Sequence, residues 1–258
     1  MLYVYAIAAD HPDPDNAMFG GEGIVPDAPV RLLQLGDLAV AASLVSAADF
    51  AADALRAHLE DARWTALRVL AHQRVVDSLL PHATVLPMKF CTLFSGEAAL
   101  KQALAHNRAA LQATVERLRG AREWGVKLYW EAPRNPAPPS AGQGEAGAGA
   151  AFFQRKRDQQ RQRAEAEAAV ARCVAASHRR LADAARAAVA NPVQPPAVHR
   201  QPGEMALNGA YLVARAAEPA WREVLAELER THADGGIRYE LTGPWGPYNF
   251  TGSGLVGS

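Results

Sequence analysis

The chain has 258 residues, 49% hydrophobic and 21% charged, which fits one large or two ordinary globular domains and excludes a largely disordered chain. Lys+Arg and Asp+Glu are both 27, so no net field draws nucleic acid or an acidic membrane surface. Two cysteines, Cys91 and Cys173, make no disulfide framework, no apolar run approaches the roughly 20 residues of a membrane span, and the start M-L-Y-V-Y-A-I-A-A-D lacks a basic leader region, so a soluble cytoplasmic protein is expected.

Leu2–Ala8 is rich in Tyr, Val and Ile and reads as a buried strand. Asp10–Pro29 reads as a loop. Its G-G-E-G is a poor phosphate cradle, because Pro26, Pro29 and a strand follow it where a helix start is needed. Val30–Leu35 and Leu38–Val45 form a hairpin on the two-residue turn Gly36-Asp37. Asp49 is placed to cap a short helix to Leu59. A longer helix spans about Glu60 to Leu80, with Trp64, Leu67, Ala71, Val75 and Leu79 as its apolar stripe. Thr84–Phe94 reads as a strand whose Pro87 puts it at an edge or a bulge. Ser95 then caps a helix from about Gly96 to Leu118, stopped by Gly120.

Glu123–Trp130 alternates strictly, with Trp124, Val126, Leu128 and Trp130 on one face. Ala132–Ala150 is low-complexity Pro, Gly and Ala that cannot bury a core. Ala151–Ala190 reads as one long helix. Its basic first half, Arg155–Arg163, has no apolar stripe, whereas Val170, Val174 and Leu181 lie in the half expected to pack. A Pro-rich loop, Asn191–Gly203, precedes a strand over Ala206–Arg215. Pro219 opens a helix with Trp221, Val224, Leu225 and Leu228 inward, and Asp234-Gly235-Gly236 turns into a last strand. The expected fold is α+β in two domains. Residues 1–121 form an N-terminal domain with a mainly antiparallel sheet. Residues 122–258 form a modified ferredoxin-like domain lacking one strand, with a long helix, an internal linker at 132–150 and an aromatic tail.

That tail is the most specific stretch of the chain: Tyr239–Phe250, Y-E-L-T-G-P-W-G-P-Y-N-F. Pro244 and Pro247 stiffen a run bearing Trp245, Tyr248 and Phe250. Such aromatics either pin the tail to the core of its own domain, the commoner use, or face a partner. They are the candidate partner-binding residues.

No catalytic site emerges. The eight histidines include no pair at i, i+4 beside a third ligand, and Walker A, G-x-S-x-G and Cys-x-x-Cys motifs are absent. His72 sits between core positions Ala71 and Val75 and reads as a hydrogen-bonded histidine at the core edge. Cys91 lies in an apolar strand pattern and reads as a buried, inert thiol. Glu60 and Asp61 suit a helix start better than acid/base chemistry. The Arg155–Arg163 run could touch phosphates, but Asp158, Glu165 and Glu167 follow closely and no aromatics interleave, so a solvated helix face explains it better. No metal, cofactor, small-molecule substrate, nucleic acid or membrane is called for. Two other classes stay open: an enzyme with an inter-domain site, and a nucleic-acid binder using that helix.

Seven segments taken in order resemble the gas vesicle protein L/F family: Y-V-Y-A-I, D-L-A-V-A-A-S-L-V, A-H-Q-R-V-V with His72, V-L-P-M-K-F-C-T-L-F, R-E-W-G-V-K-L, A-Y-L-V-A-R and L-T-G-P-W-G-P-Y-N-F. They span nearly the whole chain apart from Ala132–Ala150. Two departures stand out: the family pattern has glycine where Cys91 stands and proline where Gly246 stands. The resemblance implies a non-enzymatic accessory or minor structural protein of gas vesicles, located at the vesicle and in the cytoplasm. It implies binding to the hydrophobic major shell protein and to other vesicle proteins during assembly. It also implies two α+β domains, the second modified ferredoxin-like, and no catalytic residues.

Overall fold

The computed structural model describes residues 1–10, 22–131, 148–199 and 201–252. Part of the loop read at Asp10–Pro29 and most of the Ala132–Ala150 linker lie outside these residues. The chain folds as two compact units: Met1–Glu123 with Pro244–Ser258, and Trp124–Gly243. The sequence reading kept the tail with the second domain; the structure seats it on the first unit.

In the first unit all eight residues of β1 (Leu2–Ala9) are buried, as its run of Tyr, Val, Ile and Ala demands of a central strand. On one side β1 pairs antiparallel with β3 (Leu38–Leu44), from Leu2↔Leu44 to Ala9↔Leu38. Beyond β3 lies β2 (Arg31–Leu35), joined to it through Gly36-Asp37. Gly36 has φ 73°, a left-handed conformation that the tight hairpin turn requires. On the other side, β4 (Thr84–Pro87) and β5 (Leu93–Phe94) both pair with β1. The strand expected over Thr84–Phe94 is therefore two strands. β4 is the edge of the β2-β3-β1-β4 path and ends at Pro87, which cannot donate to a ladder. Cys91, between them, has φ 63°.

The helices of this unit depart from expectation in three places. Ser46, not Asp49, caps the first, α1 (Ala47–Phe50), by accepting from Ala48 N–H; α2 (Ala52–Glu60) follows separately. In α3 (Ala62–Leu79), capped by Asp61, the buried face is Ala71, His72, Val75, Val76 and Leu79, while Leu67 is 53% exposed. Steps of four drift by about 40° around a helix, so a stripe extended back from Leu79 in such steps leaves the core before Leu67. The helix expected over Gly96–Leu118 breaks into α4 (Glu97–His106) and α5 (Arg108–Leu118). Asn107 sits at the break and its side-chain amide donates to Ala103 O at 2.9 Å, a local bond that competes with continued helix. Ser95 does not cap, because Gly96 occupies the cap position.

The second unit runs β6 (Ala121–Trp130), α6 (Ala148–Asp183), β7 (Ala187–Ala190), α7 (Pro196–His199), β8 (Glu204–Ala214), α8 (Glu218–His232) and β9 (Ile237–Trp245), the two end strands crossing its limits. Its sheet order is β7-β8-β6-β9. Setting aside the one-turn α7, this is β-α-β-β-α-β with the order of a ferredoxin-like sheet. The strand thought missing is β7, hidden in alanines read as the end of the long helix. Pairing of Ala187 with Leu212 and Val189 with Ala210 overrides alanine's helix preference. Trp124, Val126 and Leu128 of β6 meet Leu181 of α6 and Trp221 and Leu225 of α8 in one core. Trp221 Nε1–H closes it by donating to Leu181 O at 3.1 Å. No described helix is long and apolar enough to cross a membrane.

Candidate interaction surface

Two prolines and a buried glycine shape the tail. After Trp245, Gly246 is buried so closely that an added Cβ would lie 2.9 Å from Val76 Cγ1 of α3. The proline expected from the family resemblance is thus replaced by the one residue whose missing side chain allows this approach. Pro247 leads into a single 3-10 turn, Tyr248–Phe250, in which Phe250 N–H donates to Pro247 O at 3.0 Å.

The three aromatics divide by role. Phe250 is 5% exposed, and its carbonyl accepts from the Arg117 guanidinium of α5. Tyr248 packs on the first unit's core, with its ring 6.5 Å from His72 and its hydroxyl donating to Gln73 Oε1 at 3.3 Å. Burial, with Asp77 and Glu123 nearby, holds its phenol protonated far above the usual range. Trp245 is 44% exposed. Between them, Asn249 donates through its backbone N–H (3.1 Å) and side-chain amide (2.6 Å) to the two carboxylate oxygens of buried Glu123. Burial raises the Glu123 pKa and the two Asn249 bonds pull it back. Tyr248, Asn249 and Phe250 therefore clamp the tail, and Trp245 alone of the candidates presents a large apolar face to solvent.

Beneath the tail lies a closed polar network. His72 Nε2 contacts Met88 O at 3.1 Å and Nδ1 contacts the Tyr3 hydroxyl at 2.8 Å. A carbonyl can only accept, so Nε2 carries the proton and Nδ1 accepts from Tyr3. The Tyr3 oxygen also accepts from Cys91 N–H at 3.2 Å. Burial lowers the His72 pKa to about 4 and raises the Cys91 thiol to about 11. His72 is a neutral, hydrogen-bonded histidine, as read from its position; Cys91, expected buried within a strand, is only partly buried and lies between β4 and β5. Among the described residues no cluster of His, Cys, Asp or Glu could hold a metal ion.

The Glu123–Asn249 clamp lies 126 positions apart in sequence and carries no local pattern. The outer face of α3 was also missed. Leu67 and Leu70, 53% and 61% exposed, sit between exposed Arg63 and Arg74. Leu70 is one turn from Leu67, and that spacing was the available signal.

Comparison with known proteins places this geometry in a wider group. The family described as "Gas vesicle synthesis protein GvpL/GvpF" matches residues 1–252. The chain is 35% identical to "Gas vesicle protein L" of Streptomyces sp. (strain CB03234) over 258 residues, covering 98% of this chain and 93% of that one. The crystal structure of GvpF from Microcystis aeruginosa is similar in fold, with a TM-score of 0.64 at 17% identity, covering 97% of this chain and 98% of that one. GvpF from Anabaena sp. PCC7120 gives the same score and identity, covering 97% and 95%.

Proposed function

This chain belongs to the GvpL/GvpF family of gas vesicle synthesis proteins, and from that premise we propose that it binds the hydrophobic major shell protein, together with other vesicle proteins, while the vesicle wall assembles. It does so as a non-enzymatic accessory or minor structural protein, in the cytoplasm and at the growing vesicle. A shell subunit whose apolar strands meet prematurely aggregates. A folded partner with exposed apolar side chains covers such surfaces until they join the wall.

The observation that carries this reading is the exposed apolar set on the first unit. Trp245 stands on a tail fastened at Tyr248, Asn249 and Phe250, and Leu67 and Leu70 crest the outer face of α3. An aromatic held on a rigid support loses little conformational entropy on binding, which makes Trp245 the expected anchor.

The test is capture of co-expressed shell protein by the purified chain, at low and high salt, with Trp245→Ala and Leu67→Ser/Leu70→Ser variants. Salt-resistant capture that drops about tenfold or more in either variant, with unfolding midpoints unchanged, is expected. Capture that is unchanged in both removes this surface from the shell contact. Capture by the unaltered chain that fails altogether removes the direct contact itself.

A further inference from the structure

The first half of α6 stands exposed, as read for Arg155–Arg163, but this solvated stretch is flanked by apolar side chains. At one end are Phe152 and Phe153, 53% and 61% exposed, with their rings edge to face at 5.9 Å. Some seventeen residues on, about 26 Å along the axis at the usual helical rise, the same helix walls an apolar groove of about 470 Å³. Val170 and Val174 form one wall, Trp130, Met205 and Leu207 the other, and Glu167 marks its rim. Phe153, Lys156, Gln160, Arg163, Glu167, Val170 and Val174 follow one another in steps of three and four. That spacing puts the phenylalanine and the groove on a single face of the helix.

We infer that this face is a self-complementary seam on which a second copy of the chain docks antiparallel, each copy's Phe152–Phe153 end entering the other's groove. Antiparallel pairing about the centre of the exposed stretch sets Phe153 against Val170, Lys156 against Glu167 and Gln160 against Arg163. Each pairing occurs twice by two-fold symmetry. Charge complementarity names the occupant. Antiparallel pairing sets Lys156 opposite Glu167, whereas parallel pairing would set each against its own like charge; Glu165 and Glu167 already lie beside Arg161 and Arg163 of their own helix, so the complementarity is confined to Lys156 and Glu167. Lys156 makes no ion pair among the described residues, whereas Glu167 is held by Arg163 of its own helix at 2.8 Å. The phenylalanines supply the apolar surface that an exposed ion pair cannot. This inference uses none of the residues assigned to shell-protein binding and stands apart from it.

The test is sedimentation equilibrium of the full chain from nanomolar to high micromolar concentration. A monomer–dimer equilibrium is expected for the unaltered protein. Phe152→Ser/Phe153→Ser should weaken it by about tenfold or more. Lys156→Glu and Glu167→Lys should each stay monomeric, because each puts like charges opposite one another. Mixing those two variants should restore a dimer, as should the double variant Lys156→Glu/Glu167→Lys, in which the Arg163 contact is lost but the cross-helix signs are again opposite. A chain that is monomeric throughout overturns the inference, even if its basic stretch instead holds RNA in a salt-dependent way. A dimer indifferent to these substitutions overturns it equally.

Discussion

At the scale of single residues, Cys91 and His72 show what the first unit asks of its side chains. Cys91 has φ 63°, a region that costs an L-residue about 1–2 kcal/mol and glycine almost nothing. The glycine expected there from the family resemblance therefore has a backbone reason. Cys91→Gly should stabilise the protein by up to about 1 kcal/mol, less than the full strain because glycine also loosens the unfolded chain. A lower urea midpoint in the variant would show that the thiol's own packing outweighs the strain. His72 is 3% exposed and its pKa falls to about 4 against 6.5 unfolded. The unfolded chain thus takes up the proton first as pH falls. The stability that neutral His72 contributes is complete above about pH 6.5 and declines through pH 4, by about 3 kcal/mol in all. The unfolding free energies of the native chain and His72→Gln should accordingly converge between those pH values, whereas a constant difference would refute the assignment.

At the scale of elements, the tail and β7 each take their form from a neighbour. The sequence of the tail announces stiffness through Pro244 and Pro247, yet its position depends on Val76 lying within contact of Gly246. Gly246→Ala should cost about 1–3 kcal/mol, the usual range for overpacking. Most of that should be recovered in a Val76→Ala background, because residues in contact are not additive. Equal costs in both backgrounds would place the strain elsewhere. In β7 the alanines of Ala187–Ala190 favour helix by propensity and are nonetheless a strand, because β8 offers a ladder and α6 has ended at Asp183. The same competition explains the division of α4 from α5: Asn107 is one residue inside an otherwise helical pattern, and its side chain tips the local balance.

At the scale of the whole molecule, each unit builds its own core, and function is assigned to what those cores leave outside. The balanced charge of 27 against 27 leaves no net long-range field around the molecule. Much was legible from local pattern. The buried strand β1, the hairpin on Gly36-Asp37, the alternation of β6 and the inner face of α8 depend on residues a few positions apart, and those periods can be read directly. The order of seven short motifs was enough to indicate the family. Tertiary structure decided the rest: that Pro244–Ser258 belongs with the first unit, that β7 completes the second sheet, and that Leu67 faces solvent. It also split the three tail aromatics into two anchors and one exposed ring. Most of these outcomes hinge on a contact between segments distant in sequence, such as Asn249 with Glu123, whereas Leu67 follows from the drift of a four-residue stripe around its own helix. A one-dimensional pattern carries periodicity and propensity, but not which distant surface closes on which.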